Sequence, residues 1–212
     1  MVTAVLKRMG YEPRFRLLPW KRAYRTVAEG EAAMLFTFTK NPEREKDFFF
    51  TDALAEIEVI FFKRKADKIT WETFDELKNY RIGYVDGYNY GSSFMEAIRE
   101  KKFSRPDMLG ASEMADYQQF LKLSGKRIDL AVCVKSEGLH LIRNNAPAFD
   151  DLDYIDKPVG PARGFFCGFS RKWPDAKSLR DRFDKEYGKF KAEGKKAAIF
   201  DKYGISASAA PC

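Results

Sequence analysis

Cysteine and histidine are scarce in this 212-residue chain, and no long apolar run occurs in it. The three cysteines, Cys133, Cys167 and Cys212, are odd in number and widely spaced, which argues against a disulfide scaffold. With the single histidine, His140, they make no cluster that could ligate a metal, so neither a metal nor another cofactor is expected. Cys133 and Cys167 lie in apolar, strand-like stretches and read as small core residues. A nucleophilic Cys133 would need His140 as its base and a third residue to orient that base, and none is evident. No segment approaches the apolar length of a membrane span, and the first residues lack the continuous apolar core of a signal peptide.

What is present is apolar bulk, 45% of residues with 19 phenylalanines, enough to bury one or two cores. The net charge is +7, but the 38 Lys and Arg are interleaved with 31 Asp and Glu along the chain. That pattern reads as a solvated surface, and no nucleic-acid partner is expected.

Hydrophobic periodicity alternates between the two regular spacings, which predicts an α/β architecture with largely parallel sheets. Val2, Val5, Leu6 and Met9 fall at helical spacing, and Gly10 is placed to end that helix. Residues 14–18 read as a strand, and Pro19 suits the first turn of a helix carrying Ala23, Val27 and Ala28 inward. Further strands are predicted at 33–38, from 48 on, and at 56–62, 81–86, 106–109, 128–134 and 164–170. Helices are predicted at 70–79, with Thr70 as cap, and at 92–102, 113–123, 136–145, 175–192 and 195–203. A small-residue tail follows Ile205.

The most informative stretch runs from Gly30 to Leu54. A short apolar strand leads into a polar turn holding Arg44, and an aromatic strand, Phe48-Phe49-Phe50-Thr51-Asp52, follows. A guanidinium at a strand edge offers a rigid fork that fits a carboxylate, and Thr37 and Thr39 add hydroxyls and backbone N–H groups. The competing reading pairs Arg44 with Glu43 or Asp47 on a solvated turn. The loop Gly87-Tyr88-Asn89-Tyr90-Gly91 stands between a predicted strand and helix. It is either an anion-binding nest at a helix N-terminus or an ordinary turn. Trp20, at a strand end, is either a core residue or an exposed aromatic wall.

Four blocks in order resemble periplasmic solute-binding proteins of the polar amino acid ABC transporter type. Gly30 to Leu54 is similar to that family's helix-ending glycine, strand, "TpeR" turn and "vdFSdPy" segment. Residues 77–87, LKNYRIGYVDG, resemble "LkGkkVgVqkG". Residues 125–131, GKRIDLA, resemble "GRvDAa", and 200–204, FDKYG, resemble "kiykKyG". The resemblance implies a two-lobed type 2 periplasmic-binding-protein fold, with lobe one from residues 1–56 and 166–212 and lobe two from 57–165. The two hinge strands would lie at 55–61 and 162–166. The family's usual first strand is missing here, which leaves an expected open sheet edge beside 14–18 and a route to a homo-oligomer.

The resemblance also implies an extracytoplasmic component of an ABC transporter, not an enzyme. It would bind a small carboxylate-bearing, amino-acid-like ligand and hand it to a membrane permease. Arg44, Thr37 and Thr39 would take the carboxylate, Trp20 and Phe38 would form aromatic walls, and Tyr88, Asn89 and Tyr90 would supply the facing loop. The family's acid for the ligand amine, a few positions after "GRvDAa", is replaced here by Cys133, Val134 and Lys135. A buried ammonium would find no counter-charge there. Common L-amino acids are therefore expected to bind weakly and organic acids or aromatic carboxylates better, with Lys135 as a second anion contact, unless the amine meets Glu12, Asp116 or an aromatic face. The alternatives are an enzyme on the same scaffold, like cyclohexadienyl dehydratase, and a sensory domain without tight binding.

Overall fold

The computed structural model describes residues 1–203; Cys212, Gly204 and the tail after Ile205 lie outside the described residues. In chain order the elements are α1 (Val2–Arg8), α2 (Trp20–Ala28), β1 (Met34–Phe38), β2 (Phe48–Phe50), β3 (Ala55–Ile57), β4 (Val59–Arg64) and β5 (Arg81–Val85). They continue with α3 (Ser92–Arg99), β6 (Arg105–Leu109), α4 (Ala115–Ser124), β7 (Leu130–Val134), α5 (Lys135–Asn144), β8 (Leu152–Tyr154), β9 (Arg163–Ser170), α6 (Ala176–Ala192) and α7 (Lys195–Lys202). The chain divides into two compact units. The first holds Met1–Glu56 and the segment from Gly164 on, and the second is Ile57–Arg163.

In the first unit the sheet runs β1-β9-β2, with β3 also on β9. Both β1 and β2 are antiparallel to β9, which lies between them. In the second unit the order is β6-β5-β7-β4-β8, with β5 parallel to its neighbours and β4 antiparallel to both of its own. The second sheet is therefore mixed and the pairs of β1 and β2 with β9 are antiparallel, so neither sheet is largely parallel. Alternation of helix and strand signals a crossover architecture, but it does not reveal that a late strand, β9, is inserted between two early ones.

Side-chain alternation along the strands builds a core on each face of the second unit's sheet. Phe61, Leu130 and Val132 go to one side with Trp71 and Phe94, and Ile60, Phe62, Ala131 and Cys133 go to the other with Phe120 and Phe149. In the first unit Val2 and Val5 of α1 pack with Phe169, Phe183 and Tyr187. A separate cluster of Val27, Leu35, Phe38, Phe48 and Phe50 lies under Trp20.

Three local expectations differ from the structure. Residues 14–18 form no strand, although Phe15 meets Phe36 of the edge strand β1 edge-on at 5.3 Å. The helix expected at 70–79 is a single 3-10 turn, Phe74–Leu77, capped reciprocally by Thr73 and Glu76, not by Thr70. A strand expected to run unbroken over 56–62 is two, β3 and β4, interrupted at Glu58.

Gly168 is the tightest point beneath the Trp20 cluster. A Cβ there would stand 2.7 Å from Phe38 Cζ and 3.1 Å from Phe48 Cβ. Gly168→Ala should therefore cost about 1 to 3 kcal/mol of stability by overpacking. Urea unfolding checks this, and a cost below about 0.5 kcal/mol would show that the cluster yields freely.

Candidate functional site

Arg44 opens a single 3-10 turn, Arg44–Lys46, just after β1. The Asn41 side chain fixes that turn by accepting the Arg44 backbone N–H at 2.8 Å, the local cap for which asparagine is suited. The guanidinium then bends back over β1. Its Nη1 donates to the Thr39 carbonyl at 2.7 Å and to Thr39 Oγ1 at 2.8 Å. Its carbon lies 5.2 Å from the Trp20 ring centre and 5.7 Å from that of Phe38. The three acids of the turn are engaged elsewhere: Glu43 pairs with Lys46 at 2.7 Å, Glu45 with Lys40 at 2.8 Å, and Asp47 accepts the Tyr24 hydroxyl at 2.8 Å. Among the described residues no carboxylate pairs with Arg44. Loss of hydration pulls its guanidinium below the ordinary range, against an opposing influence from Tyr24.

The first unit thus brings Arg44, Thr39, Trp20 and Phe38 together. Phe38 is buried beneath the guanidinium and Trp20 is half-buried. Thr37 is not part of the group: it lies exposed, and Arg44 bonds only Thr39. Glu12 is also outside it, exposed and paired with Lys7 at 3.4 Å.

In the second unit the 87–91 loop is held from within. Asn89 Oδ1 accepts the Gly91 N–H at 3.0 Å and Arg163 Nη1 at 2.9 Å, and the Asn89 carbonyl accepts Arg163 Nη2 at 2.7 Å. Asn89 therefore shapes the loop with both of its oxygens. Gly91 caps α3 at φ +107°, a backbone angle that side chains rarely adopt. Tyr90 is buried in the core with its hydroxyl accepting the Val85 N–H at 2.9 Å, so the structure gives it a packing role. Lys135 is not free to meet an anion, because its Nζ lies 2.6 Å from Asp156 Oδ1 and 3.8 Å from Glu58.

Tyr88 leads to a different cluster. It lies beside Asp116, a buried carboxylate on the first turn of α4 that accepts Cys133 Sγ at 3.8 Å. Among the described residues no cation pairs with Asp116. Its carboxyl is pushed up to about 7, first by loss of hydration and then by Glu137, while Cys133 and Tyr88 pull it back. Burial raises the Cys133 thiol, and His140 is exposed and bonded to Asn144, so Cys133 and His140 form no activated pair. Asp116 came into the sequence reading only as one option among three, and Arg163 gave no signal, being a lone arginine before a phenylalanine-rich strand.

The model of bacterial extracellular solute-binding proteins, family 3, matches residues 1–206. The chain belongs to that family. No curated protein matches it. Among solved structures it is similar to an arginine 3rd transport system periplasmic binding protein from Legionella pneumophila, at 17% identity and a TM-score of 0.76, over 95% of this chain and 85% of that one. It is also similar to a histidine kinase sensor domain with similarity to periplasmic binding proteins, at 19% identity and a TM-score of 0.79, over 95% and 83%. A third is an ancestral amino-acid-binding protein described as a precursor of cyclohexadienyl dehydratase, at 14% identity and a TM-score of 0.76, over 95% and 82%. These likenesses establish the type 2 periplasmic-binding-protein fold. Members of the family are extracytoplasmic, and no helix among the described residues is long and apolar enough to cross a membrane.

Asp116 offers a measurable signature. An acid whose folded pKa lies above its unfolded value of about 3.9 supports the fold fully below that value, and loses the contribution as pH rises through its folded pKa. Asp116→Asn should therefore gain stability on the wild type as pH climbs from about 4 to about 7, by at most a few kcal/mol, and keep the gain above that. Urea unfolding at about pH 5 and about pH 8 tests it; a difference that does not change with pH would show an ordinary carboxyl.

Proposed function

We propose that this chain is the substrate-binding component of an ABC transporter, acting outside the cytoplasm and presenting a small carboxylate-bearing ligand to a membrane permease. The observation that carries the reading is Arg44, a part-buried guanidinium oriented by Thr39 and two aromatic rings and, among the described residues, paired with no carboxylate. A cation kept this way carries a desolvation cost that an incoming carboxylate relieves, through the bidentate geometry for which arginine is suited. Trp20 supplies an aromatic face for the remainder of the ligand.

Asp116 bears on the ligand class. Val134 leaves an ammonium unserved where the family places its acid, but a buried carboxylate with no cation stands beside the neighbouring Cys133. Among the described residues Asp116 has no cation, so its carboxylate is chemistry suited to an ammonium, and several of the similar solved structures are amino-acid-binding proteins. An amino acid or a close analogue is therefore the favoured class, ahead of an amine-free organic acid. The same raised carboxyl is what an enzyme on this scaffold would use as a proton donor, so that reading predicts a product where the binding reading predicts none. The open edge of β1 is where a second copy of the chain would add a strand.

Calorimetry with a panel of L-amino acids, including arginine and glutamine, and their deaminated analogues tests the assignment. Arg44→Ala should weaken the best ligand by about 2 to 5 kcal/mol, because its carboxylate would be left without a partner. Affinity of Arg44→Ala within a few fold of the wild type would reject the anchor. Tight binding of deaminated analogues alone would reject the zwitterion.

A further inference from the structure

The positive charge of this chain is confined to one unit. Residues 1–56 and 164–212 carry 21 Lys and Arg against 14 Asp and Glu, a net of +7, while residues 57–163 carry 17 against 17. Many of the cations of this unit are paired locally with its own acids. Lys189 pairs with Glu186, Lys191 with Asp52, Lys195 with Glu193, and Arg180 with Asp181.

One place differs. An open groove of about 690 Å³ runs along the first turns of α6 and has an apolar floor of Phe49, Trp173 and Ala176. Its rim carries Arg171, Lys177, Arg182 and Lys185 against Asp175 and Asp181. Lys177 meets Asp181 at 3.3 Å, and Arg180 already shares that acid. The other three cations have no acidic partner among the described residues. Arg171 lies 4.0 Å over the Phe49 ring and donates from Nε to the Glu45 carbonyl, and Arg182 donates to the Tyr11 hydroxyl and the Met9 carbonyl. Lys185 is exposed.

We propose that this groove docks an acidic segment of a protein partner that inserts a bulky apolar side chain between its carboxylates. Charge complementarity selects the acidic residues, and the Phe49 and Trp173 floor selects the apolar anchor. A free anion would satisfy the rim and leave the floor wet. An anionic bilayer would match the rim charge but presents no aromatic or branched side chain to the Phe49 and Trp173 surface. The surface is distinct in chemistry from the Arg44 group, whose rings are Trp20 and Phe38, and the proposal does not depend on the ligand assigned there.

Fluorescence anisotropy with a labelled Glu-Glu-Trp-Glu-Leu-Glu peptide tests this, using Arg171→Glu with Lys185→Glu and, as a control of equal charge change, Lys189→Glu with Lys195→Glu. The groove pair should weaken peptide binding about tenfold or more, and the control pair about threefold or less. Circular dichroism confirms that each variant folds. Lys185→Glu, which alters one exposed side chain, set against Lys189→Glu alone, gives a comparison of equal charge change should the double variant fail to fold. Replacing the peptide's Trp and Leu by Ser should also weaken binding. Equal loss in groove and control variants, no binding by the wild type at low salt, or indifference to the peptide's apolar residues would each overturn the proposal. So would binding to vesicles containing phosphatidylserine that groove reversal abolishes while peptide binding is unaffected.

Discussion

An arginine kept part-buried without an acid is the constraint around which the first unit is arranged. A desolvated guanidinium without a counter-charge is unfavourable, and the fold limits the cost in three ways. Thr39 accepts two bonds through its carbonyl and hydroxyl, Trp20 and Phe38 place ring faces near the cation, and Asn41 holds the turn from which the side chain extends. The Phe38 ring depends in turn on Gly168, since a side chain at that position would displace it. Glu43, Glu45 and Asp47, the nearby acids, are occupied by Lys46, Lys40 and Tyr24. What remains is a cation oriented and unpaired, which is the state a carboxylate receptor needs.

The second unit shows the mirror case. Asp116 is a buried carboxylate with hydrogen-bond donors but no cation, and its raised pKa reports the cost of that placement. The adjacent loop is made rigid by Arg163 gripping Asn89, so Tyr88 is presented on a fixed backbone. Net charge divides unevenly as well, with the whole excess on the first unit. Binding chemistry and surface charge are thus separable properties of this chain.

The fold class and the family were legible in the sequence, because both follow from element order and from short blocks that persist at low identity. The turn position of Arg44 was legible for the same reason, since a turn arginine after a threonine-bearing strand is a local pattern. The partners of Arg44 were not: whether it met Glu43, Asp47 or Thr39 depended on how Lys46 and Tyr24 disposed of the acids. Lys135 misled because its neutralising acid, Asp156, lies far along the chain. Tyr90 and Asn89 misled in another way, since a loop's polar atoms can be consumed by the loop itself. Sheet direction was missed because β9 pairs with strands more than a hundred residues earlier, and no local periodicity encodes that.

The central claim, that Arg44 is an unpaired cation awaiting a carboxylate, is most directly tested by side-chain nitrogen NMR of the arginines during titration with the best ligand of the panel. The account predicts that the Arg44 Nε and Nη resonances move and slow their proton exchange in step with ligand occupancy, while those of Arg64, already bonded to the Leu123 and Ile128 carbonyls, stay in place. Saturating ligand, verified by calorimetry on the same sample, with Arg44 resonances unchanged would contradict it.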